Sequence, residues 1–298
     1  MKKIIPYFRE YFRTASKTQL LLTSLLCAIL VFLNYHEGLE KKISEQPFLT
    51  RYISWVMIFS LAWIIPCAFI YLENKDLLKK DLTWLLLIAP LLFAVKMTVR
   101  PHFLVSNNPV WNNYWNHIIY WPFLFLVIGS SLFFIGKIFR HDQLFFGSRL
   151  KGLDWTPYLW MLAFMVPLVI LAATQPDFQA MYPKLQNIEG IFDEKDFHWW
   201  HKLLFELSYG SDFITIEFFF RGFLVLALAK YAGPKAILPM ACFYCTIHFG
   251  KPLGECISSY FGGMLLGIVV YNTRSIFGGL MVHLGIAWLM ELAGHLAR

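Results

Sequence analysis

Apolar residues lie along the chain in long blocks separated by short polar stretches. The nine blocks cover roughly 19–36, 52–72, 83–99, 117–138, 155–174, 203–229, 234–249, 255–272 and 275–294. A helix needs about 20 apolar residues to cross the ~30 Å hydrocarbon core of a bilayer, and its backbone polar groups must be satisfied internally. The pattern therefore predicts an all-α, polytopic transmembrane helix bundle of about eight to nine spans. The third and seventh blocks are short enough to be tilted or partly re-entrant.

Composition supports the same class of protein. Of the 298 residues, 58% are hydrophobic and only 15% are charged, and the mean hydropathy is +0.54. A soluble domain of this length needs more polar surface, and the alternation typical of a membrane β-barrel is absent. The net charge of +7 comes from bases in short loops rather than from a nucleic-acid motif, so no nucleic-acid partner is expected.

The distribution of Lys and Arg predicts the orientation. With the N-terminus in the cytoplasm, fifteen bases fall on the cytoplasmic side, mostly in 1–17, 73–82 and 137–154, and nine on the opposite side. This excess agrees with the positive-inside rule and leaves the acidic loop 175–199 outside. We therefore expect a multi-pass protein of the bacterial cytoplasmic membrane with an uncleaved first span. The five cysteines, including Cys242 and Cys245, are expected to be reduced packing residues.

The loop 175–199 is also the longest polar break between blocks. It ends in the aromatic run Phe197-His198-Trp199-Trp200, which is typical of a membrane interface. We place a boundary there. Residues 1–196 form an N-terminal membrane region of about five spans plus the acidic external loop, and residues 197–298 form a C-terminal functional bundle. The paired halves of an inverted-repeat transporter are not visible, so a transporter is a minor alternative.

Ionisable residues inside apolar blocks are concentrated in the C-terminal third. Charge at bilayer depth is unfavourable by about 2.5–3.5 kcal/mol on insertion scales. The first five blocks are nearly free of it, with the exception of Lys96, which we expect to snorkel toward an interface. The C-terminal blocks contain or adjoin eight such residues: Glu206, Asp212, Glu217, Arg221, His248, Glu255, His283 and Glu291.

Glu217 and Arg221 are four residues apart, which places them on one helical face where they can pair. A structural ion pair would explain them equally well. A single histidine such as His248 or His283 is more often a hydrogen-bonded core residue than a catalytic one. Together, however, they form a pattern on successive helices. A carboxylate beside a histidine can take a proton from water, and a second histidine can stabilise an oxyanion.

These residues resemble the CPBP family of CAAX proteases and bacteriocin-processing enzymes, also called the Abi family. Its motifs are Glu-Glu-x-x-x-Arg, Phe-x-x-x-His and His-x-x-x-Asn on successive helices. The corresponding segments here run from Ile216-Glu217 to Arg221, from Tyr244 to His248 and from His283 to Ala287, within residues 197–298. Ile216 replaces the first glutamate, Ala287 replaces the asparagine, and tyrosine replaces the phenylalanine of the second motif.

The resemblance implies an intramembrane endopeptidase whose substrate is a hydrophobic or lipidated peptide and which needs no cofactor. Glu217 or Glu255, with His248, would activate water. Arg221 would hold Glu217 ionised, and His283 would stabilise the oxyanion. Glu255 lies in a run that begins at His248 and resembles a subgroup with a rearranged site. Because Arg221 should make Glu217 a weak base, we expect Glu255 to be the base, whereas Lys251 is expected to be an interfacial cation.

Two other functions remain open at this point. The replacements at Ile216 and Ala287 also fit a catalytically inactive membrane scaffold or a bacteriocin-immunity-type binding protein. A metal-dependent membrane hydrolase would use His248, His283 and a glutamate as ligands, although no His-Glu-x-x-His spacing is present. The hypotheses share one expectation, that Glu217, His248 and His283 line a common cavity. The sequence makes no prediction about oligomeric state.

Overall fold

The computed structural model describes residues 4–73, 80–138, 147–150 and 152–297. This part of the chain is helical and contains no β-strand. The α-helices are α1 (Ile5–Thr14), α2 (Lys17–Glu37), α3 (Leu39–Ser44), α4 (Phe48–Glu73), α5 (Lys80–Thr98), α6 (Pro109–Ile138), α7 (Thr156–Ala172), α8 (Pro176–Met181), α9 (Trp199–Ile216), α10 (Leu228–Ala232), α11 (Ile237–Thr246), α12 (Leu253–Thr273) and α13 (Phe277–Leu296). A π-helix (Glu217–Ala227) joins α9 to α10, and 3₁₀ helices cover Lys184–Ile191 and Gly233–Ala236.

The predicted all-α class is confirmed, and each of the nine apolar blocks contains a helix. Within the described residues, five helices are long and apolar enough to cross a membrane. They are α2, α4, α6, α12 and α13. The apolar parts of α5 and α7 are shorter. Helix α11 has ten residues, about half of the length that a bilayer core requires, as the short seventh block indicated.

Helix α11 lies at the centre of the bundle, and all of its ten residues are buried. It packs against α2, α4 and α12. Aromatic rings join it to its neighbours, with the Phe243 ring centroid 4.9 Å from that of Phe59 and 5.9 Å from that of Phe93. The helix that ends two residues before His248 is therefore held in one apolar core with α4 and α5. The boundary at 196/197 stays a prediction.

The loop between α7 and α9 folds back onto the start and end of the last two helices. The Glu291 carboxylate of α13 accepts the backbone N–H groups of Lys184 at 2.8 Å and Leu185 at 3.3 Å. Gly294 allows a close approach, because a Cβ there would lie 2.6 Å from the carbonyl carbon of Tyr182. Both contacts fix the loop against α13 and direct Tyr182 toward the N-terminal end of α12.

The expectation that Lys96 snorkels to an interface is wrong. Its Nζ lies 2.8 Å and 3.1 Å from the two carboxylate oxygens of Asp212, and both side chains are largely buried. Lys96 pairs instead with a carboxylate on α9, and this ion pair ties α5 to α9. The five cysteines are free and buried. Much of the two basic loops used for the orientation, residues 74–79 and 139–146, lies outside the described residues.

Candidate active site

Glu217, Arg221 and His283 form a buried inner cluster. Glu217 Oε1 lies 3.1 Å from an Arg221 guanidinium nitrogen and 3.0 Å from His283 Nδ1, and neither member of the Glu217–Arg221 pair is exposed. Glycine is needed opposite the carboxylate, because a Cβ at Gly279 would lie 2.8 Å from Glu217 Oε2. Glu217 and Arg221 lie in the π-helix, a type of helix that often marks functional sites.

The Arg221 guanidinium lies 4.1 Å above the centroid of the Tyr244 ring, a favourable position for a cation–π interaction. Its nitrogens are close to Glu217 but make no aligned hydrogen bond, and Glu217 Oε2 has no partner among the described residues. Buried polar groups are normally hydrogen-bonded. The inner cluster is therefore held by charge, and it leaves hydrogen-bonding capacity for water or a bound ligand.

Tyr244 connects the inner cluster to His248. Its hydroxyl lies 2.9 Å from His283 Nε2, and its ring centroid lies 4.7 Å from that of His248. His248 Nδ1 lies 2.9 Å from the Tyr244 backbone oxygen. A carbonyl oxygen only accepts, so Nδ1 of His248 carries the proton and Nε2 is the nitrogen with a free lone pair. An unprotonated Nε2 can accept a proton, as a base must.

A second, outer cluster consists of Glu255, Lys251 and Tyr182. Lys251 Nζ lies 3.5 Å from Glu255 Oε1, and the side chains of Lys251 and Glu255 are 27% and 18% exposed. The Tyr182 hydroxyl lies 3.0 Å from both Glu255 oxygens and 3.0 Å from Lys251 Nζ. Lys251, expected as an interfacial cation, is thus the ion-pair partner of Glu255.

His248 lies between the two clusters, within electrostatic reach of Glu255 and Lys251 on one side and His283 on the other. Helix α11 ends at Thr246 and α12 begins at Leu253, so the shared helical face considered for His248 and Glu255 does not exist. A turn, and not helical periodicity, brings the two residues near each other. Glu217 and His283 are therefore in direct contact, whereas His248 is connected to them only through Tyr244.

Burial governs the titration of Tyr182 and Lys184 in loop 175–199. Burial, reinforced by the nearby Glu255 carboxylate, raises the pKa of Tyr182 well above its usual range, so its hydroxyl stays protonated and donates to Glu255. Burial, with a smaller contribution from Lys251, lowers the pKa of Lys184 from 10.5 to about 7. The loop next to Glu255 therefore holds one hydroxyl that stays protonated and one lysine that is partly neutral near pH 7.

The two replaced motif positions are apolar in structure as well as in sequence. Ile216 is 8% exposed and belongs to the main apolar core. Ala287 is 3% exposed and packs with Tyr209 and Phe213. In the described ranges, that is without residues 74–79, 139–146 and 151, no group of three or more His, Cys, Asp or Glu side chains is placed to hold a metal ion.

Two tyrosines were not identified from the sequence as members of the site. Tyr244 had a signal, because it replaces the phenylalanine of the second motif and so adds a hydroxyl. Tyr182 had none, since it lies in a loop outside the motifs and 73 residues before Glu255. Only tertiary packing brings its hydroxyl to that carboxylate.

Fold and site together define a class: a helical, multi-pass membrane protein with two carboxylate–cation pairs and two histidines near one another. Residues 200–289 match the family described as type II CAAX prenyl endopeptidase, Rce1-like. This range includes Glu217, Arg221, His248, Glu255 and His283. The predicted resemblance to the CAAX-protease family is confirmed for this region of the chain. No curated protein and no solved structure matches the chain significantly.

Proposed function

We propose that the protein is an intramembrane endopeptidase of the CAAX-protease type. The observation that carries the proposal is the contact chain from Glu217 through His283 and Tyr244 to His248, inside the region that matches the family. A histidine and a carboxylate that can take a proton from water are groups that peptide hydrolysis by an activated water uses, and this contact chain links them to a second histidine.

Glu255 and His248 activate the water in this proposal. Glu217 is unsuitable as a base, because it is fully buried and its Oε1 already faces both Arg221 and His283. Glu255 is 18% exposed, so water reaches it, and His248 Nε2 has a free lone pair. Glu217 and Arg221 then serve to anchor His283. Glu255 also has two partners, Lys251 at 3.5 Å and the Tyr182 hydroxyl at 3.0 Å, so access to water, and not a weaker set of contacts, distinguishes it from Glu217.

The substrate in this proposal is a hydrophobic or lipidated peptide that reaches the site from the bilayer. Many apolar side chains of the described helices face outward, for example Leu159, Phe164 and Ile170 on α7, as expected for contact with lipid. A peptide with an apolar tail can therefore approach laterally, whereas water enters at the outer cluster.

The test is cleavage of a fluorogenic peptide with a hydrophobic or prenylated tail by the purified protein in detergent. Glu255→Gln and His248→Gln should each reduce the rate by about 10²–10⁴-fold, the usual contribution of a general base. Melting temperature is the folding control, and Glu45→Gln, an exposed glutamate in the turn after α3, is the matched variant. If Glu255→Gln cleaves the peptide as fast as the parent does, Glu255 is not part of the mechanism.

A second candidate is a non-catalytic protein that binds such peptides. It is favoured by the apolar surroundings of Ile216 and Ala287 and by the engagement of both ring nitrogens of His283. Under this hypothesis the parent binds a fluorescent prenylated peptide but never cleaves it, and Glu255→Gln binds it equally well. A metal-dependent hydrolase would instead lose cleavage with a strong chelator and regain it with zinc.

The orientation is part of the same proposal: N-terminus in the cytoplasm and loop 175–199 outside. All five native cysteines are buried, so a cysteine added at the exposed Asn187 should be the main site for a membrane-impermeant thiol reagent on intact cells. Leu150→Cys, exposed between α6 and α7, should be labelled only after lysis. The reverse pattern would invert the topology.

A further inference from the structure

The Tyr244 hydroxyl, His283 and Glu217 form a hydrogen-bonded line. The hydroxyl lies 2.9 Å from His283 Nε2, and His283 Nδ1 lies 3.0 Å from Glu217 Oε1. Tyr244 is 4% exposed and Glu217 is not exposed, so water does not compete freely for these bonds. Phenylalanine in the second motif would leave Nε2 without this partner.

The charges around His283 decide where its protons are. The Glu217 carboxylate is adjacent to Arg221 and therefore only accepts, so His283 Nδ1 carries a proton. A second proton, on Nε2, would add a second cation beside Arg221 against one carboxylate, and with the His283 side chain only 13% exposed little solvent screens the two charges, which is unfavourable. With Nδ1–H directed at Glu217, Nε2 is left as an acceptor, and the Tyr244 hydroxyl at 2.9 Å is placed to donate its proton to it.

We propose that Tyr244 is a positioning residue that fixes His283 as the neutral Nδ1–H tautomer with Nε2 as an acceptor. His283 then differs from the role that the family resemblance implies, because an acceptor nitrogen does not donate to an oxyanion. It acts on the rest of the site through the Tyr244 hydroxyl. The proposal concerns the same site as the proposed function, but it holds whether or not the protein cleaves peptides.

The position of the proton can be measured directly by ¹⁵N NMR of histidine-labelled protein in detergent micelles. The signals of His283 are assigned by their loss in His283→Gln. We expect one protonated nitrogen and one unprotonated nitrogen, the latter shifted upfield by its hydrogen bond. Tyr244→Phe should move the unprotonated resonance downfield or switch the tautomer. Tyr52→Phe, which removes a hydroxyl bound to the Leu91 carbonyl at 3.2 Å, should leave it unchanged.

Protonation of Nε2 in the parent, a doubly protonated His283 at neutral pH, or unchanged His283 signals in Tyr244→Phe would each overturn the proposal. If Tyr244→Phe does not fold, the proposal is tested by the parent alone, through which nitrogen of His283 is protonated and whether the other is shifted upfield. A purely structural role for the hydroxyl would change the melting temperature but not the protonated nitrogen. Absence of peptide cleavage, with the tautomer as expected, would count against the proposed function alone.

Discussion

The inner and outer clusters are built from the same kinds of groups and differ chiefly in burial. Each has a glutamate, a cation four residues away on the chain and a tyrosine next to the cation. In the inner cluster, Glu217 and Arg221 are wholly buried at 3.1 Å. In the outer cluster, Glu255 and Lys251 are 18% and 27% exposed at 3.5 Å. The chemistry available to each carboxylate follows from this difference.

Burial strengthens an ion pair and also makes it indispensable. Charge interactions are several times stronger near apolar protein than in water, and removal of one partner leaves the other charge stranded. A partly exposed pair keeps access to water, and its charges are better screened, so it adds less to stability. Under the proposed function, this comparison fits Glu217 as a structural and positioning residue and Glu255 as the carboxylate that meets water.

The largest effect is expected for Glu217→Gln. It leaves Arg221 without its carboxylate and His283 Nδ1 without its ionic acceptor, so the free energy of unfolding should fall by about 3–5 kcal/mol. Thermal unfolding in detergent measures the change. Glu255→Gln is the matched substitution in the outer cluster and should cost less than about 1 kcal/mol. Equal losses of unfolding free energy in Glu217→Gln and Glu255→Gln would contradict the view that burial distinguishes the two clusters. The double variant Glu217→Gln/Arg221→Met should recover part of the loss.

An intermediate effect is expected for Asp212→Asn. Asp212 and Lys96 are 14% and 9% exposed, which places this pair between the two clusters in burial. The loss of a hydrogen bond to a charged group costs about 1.5–3 kcal/mol, and the melting temperature should fall accordingly. Asp196→Asn, at an exposed position in loop 175–199, controls for a general effect of exchanging an acid for an amide. If Asp212→Asn melts at the same temperature as the parent, the burial of an ion pair does not determine its contribution to stability here.

A smaller effect is expected for Tyr182→Phe. Its hydroxyl contacts Glu255 and Lys251 at 3.0 Å, and both groups keep some solvent, so stability should fall by about 1 kcal/mol. Limited proteolysis of loop 175–199 gives a second readout, since the variant should be cut faster. Tyr35→Phe, which loses a 2.6 Å bond to the Lys251 carbonyl, is the comparison within the same neighbourhood. Unchanged proteolysis would mean that the hydroxyl does not secure the loop.

The smallest effect is the pH dependence due to Lys184. Burial lowers its pKa to about 7, so between pH 7 and about 10.5 the unfolded chain binds a proton that the folded chain has released. The stability of the parent should therefore rise with pH in this window relative to Lys184→Met, and the difference should be constant below pH 7. Melting temperatures at pH 6, 7, 8, 9 and 10 measure it. Lys195→Met, an exposed lysine of the same loop, should follow the parent.

The motifs located much of the candidate site before the structure was known. Glu217, Arg221, His248, Glu255 and His283 all lie within the region that matches the family. The i,i+4 spacing correctly paired Glu217 with Arg221, since a continuous helix fixes that geometry. Residue spacing could not show whether Glu255 shares a helix with His248, because Gly250 and Pro252 between them can end a helix.

The sequence by itself determined the helical class and the positions of the apolar segments, because lipid permits few alternatives to a helix for a long apolar segment. Tertiary structure decided what each ionisable residue does. It paired Lys96 with Asp212, carried Tyr182 from the loop to Glu255 and placed the Tyr244 hydroxyl on His283. These contacts join residues from 39 to 116 positions apart. Local periodicity carries no information at such separations, whereas burial, which sets the strength of every charge interaction here, is a property of the packed bundle.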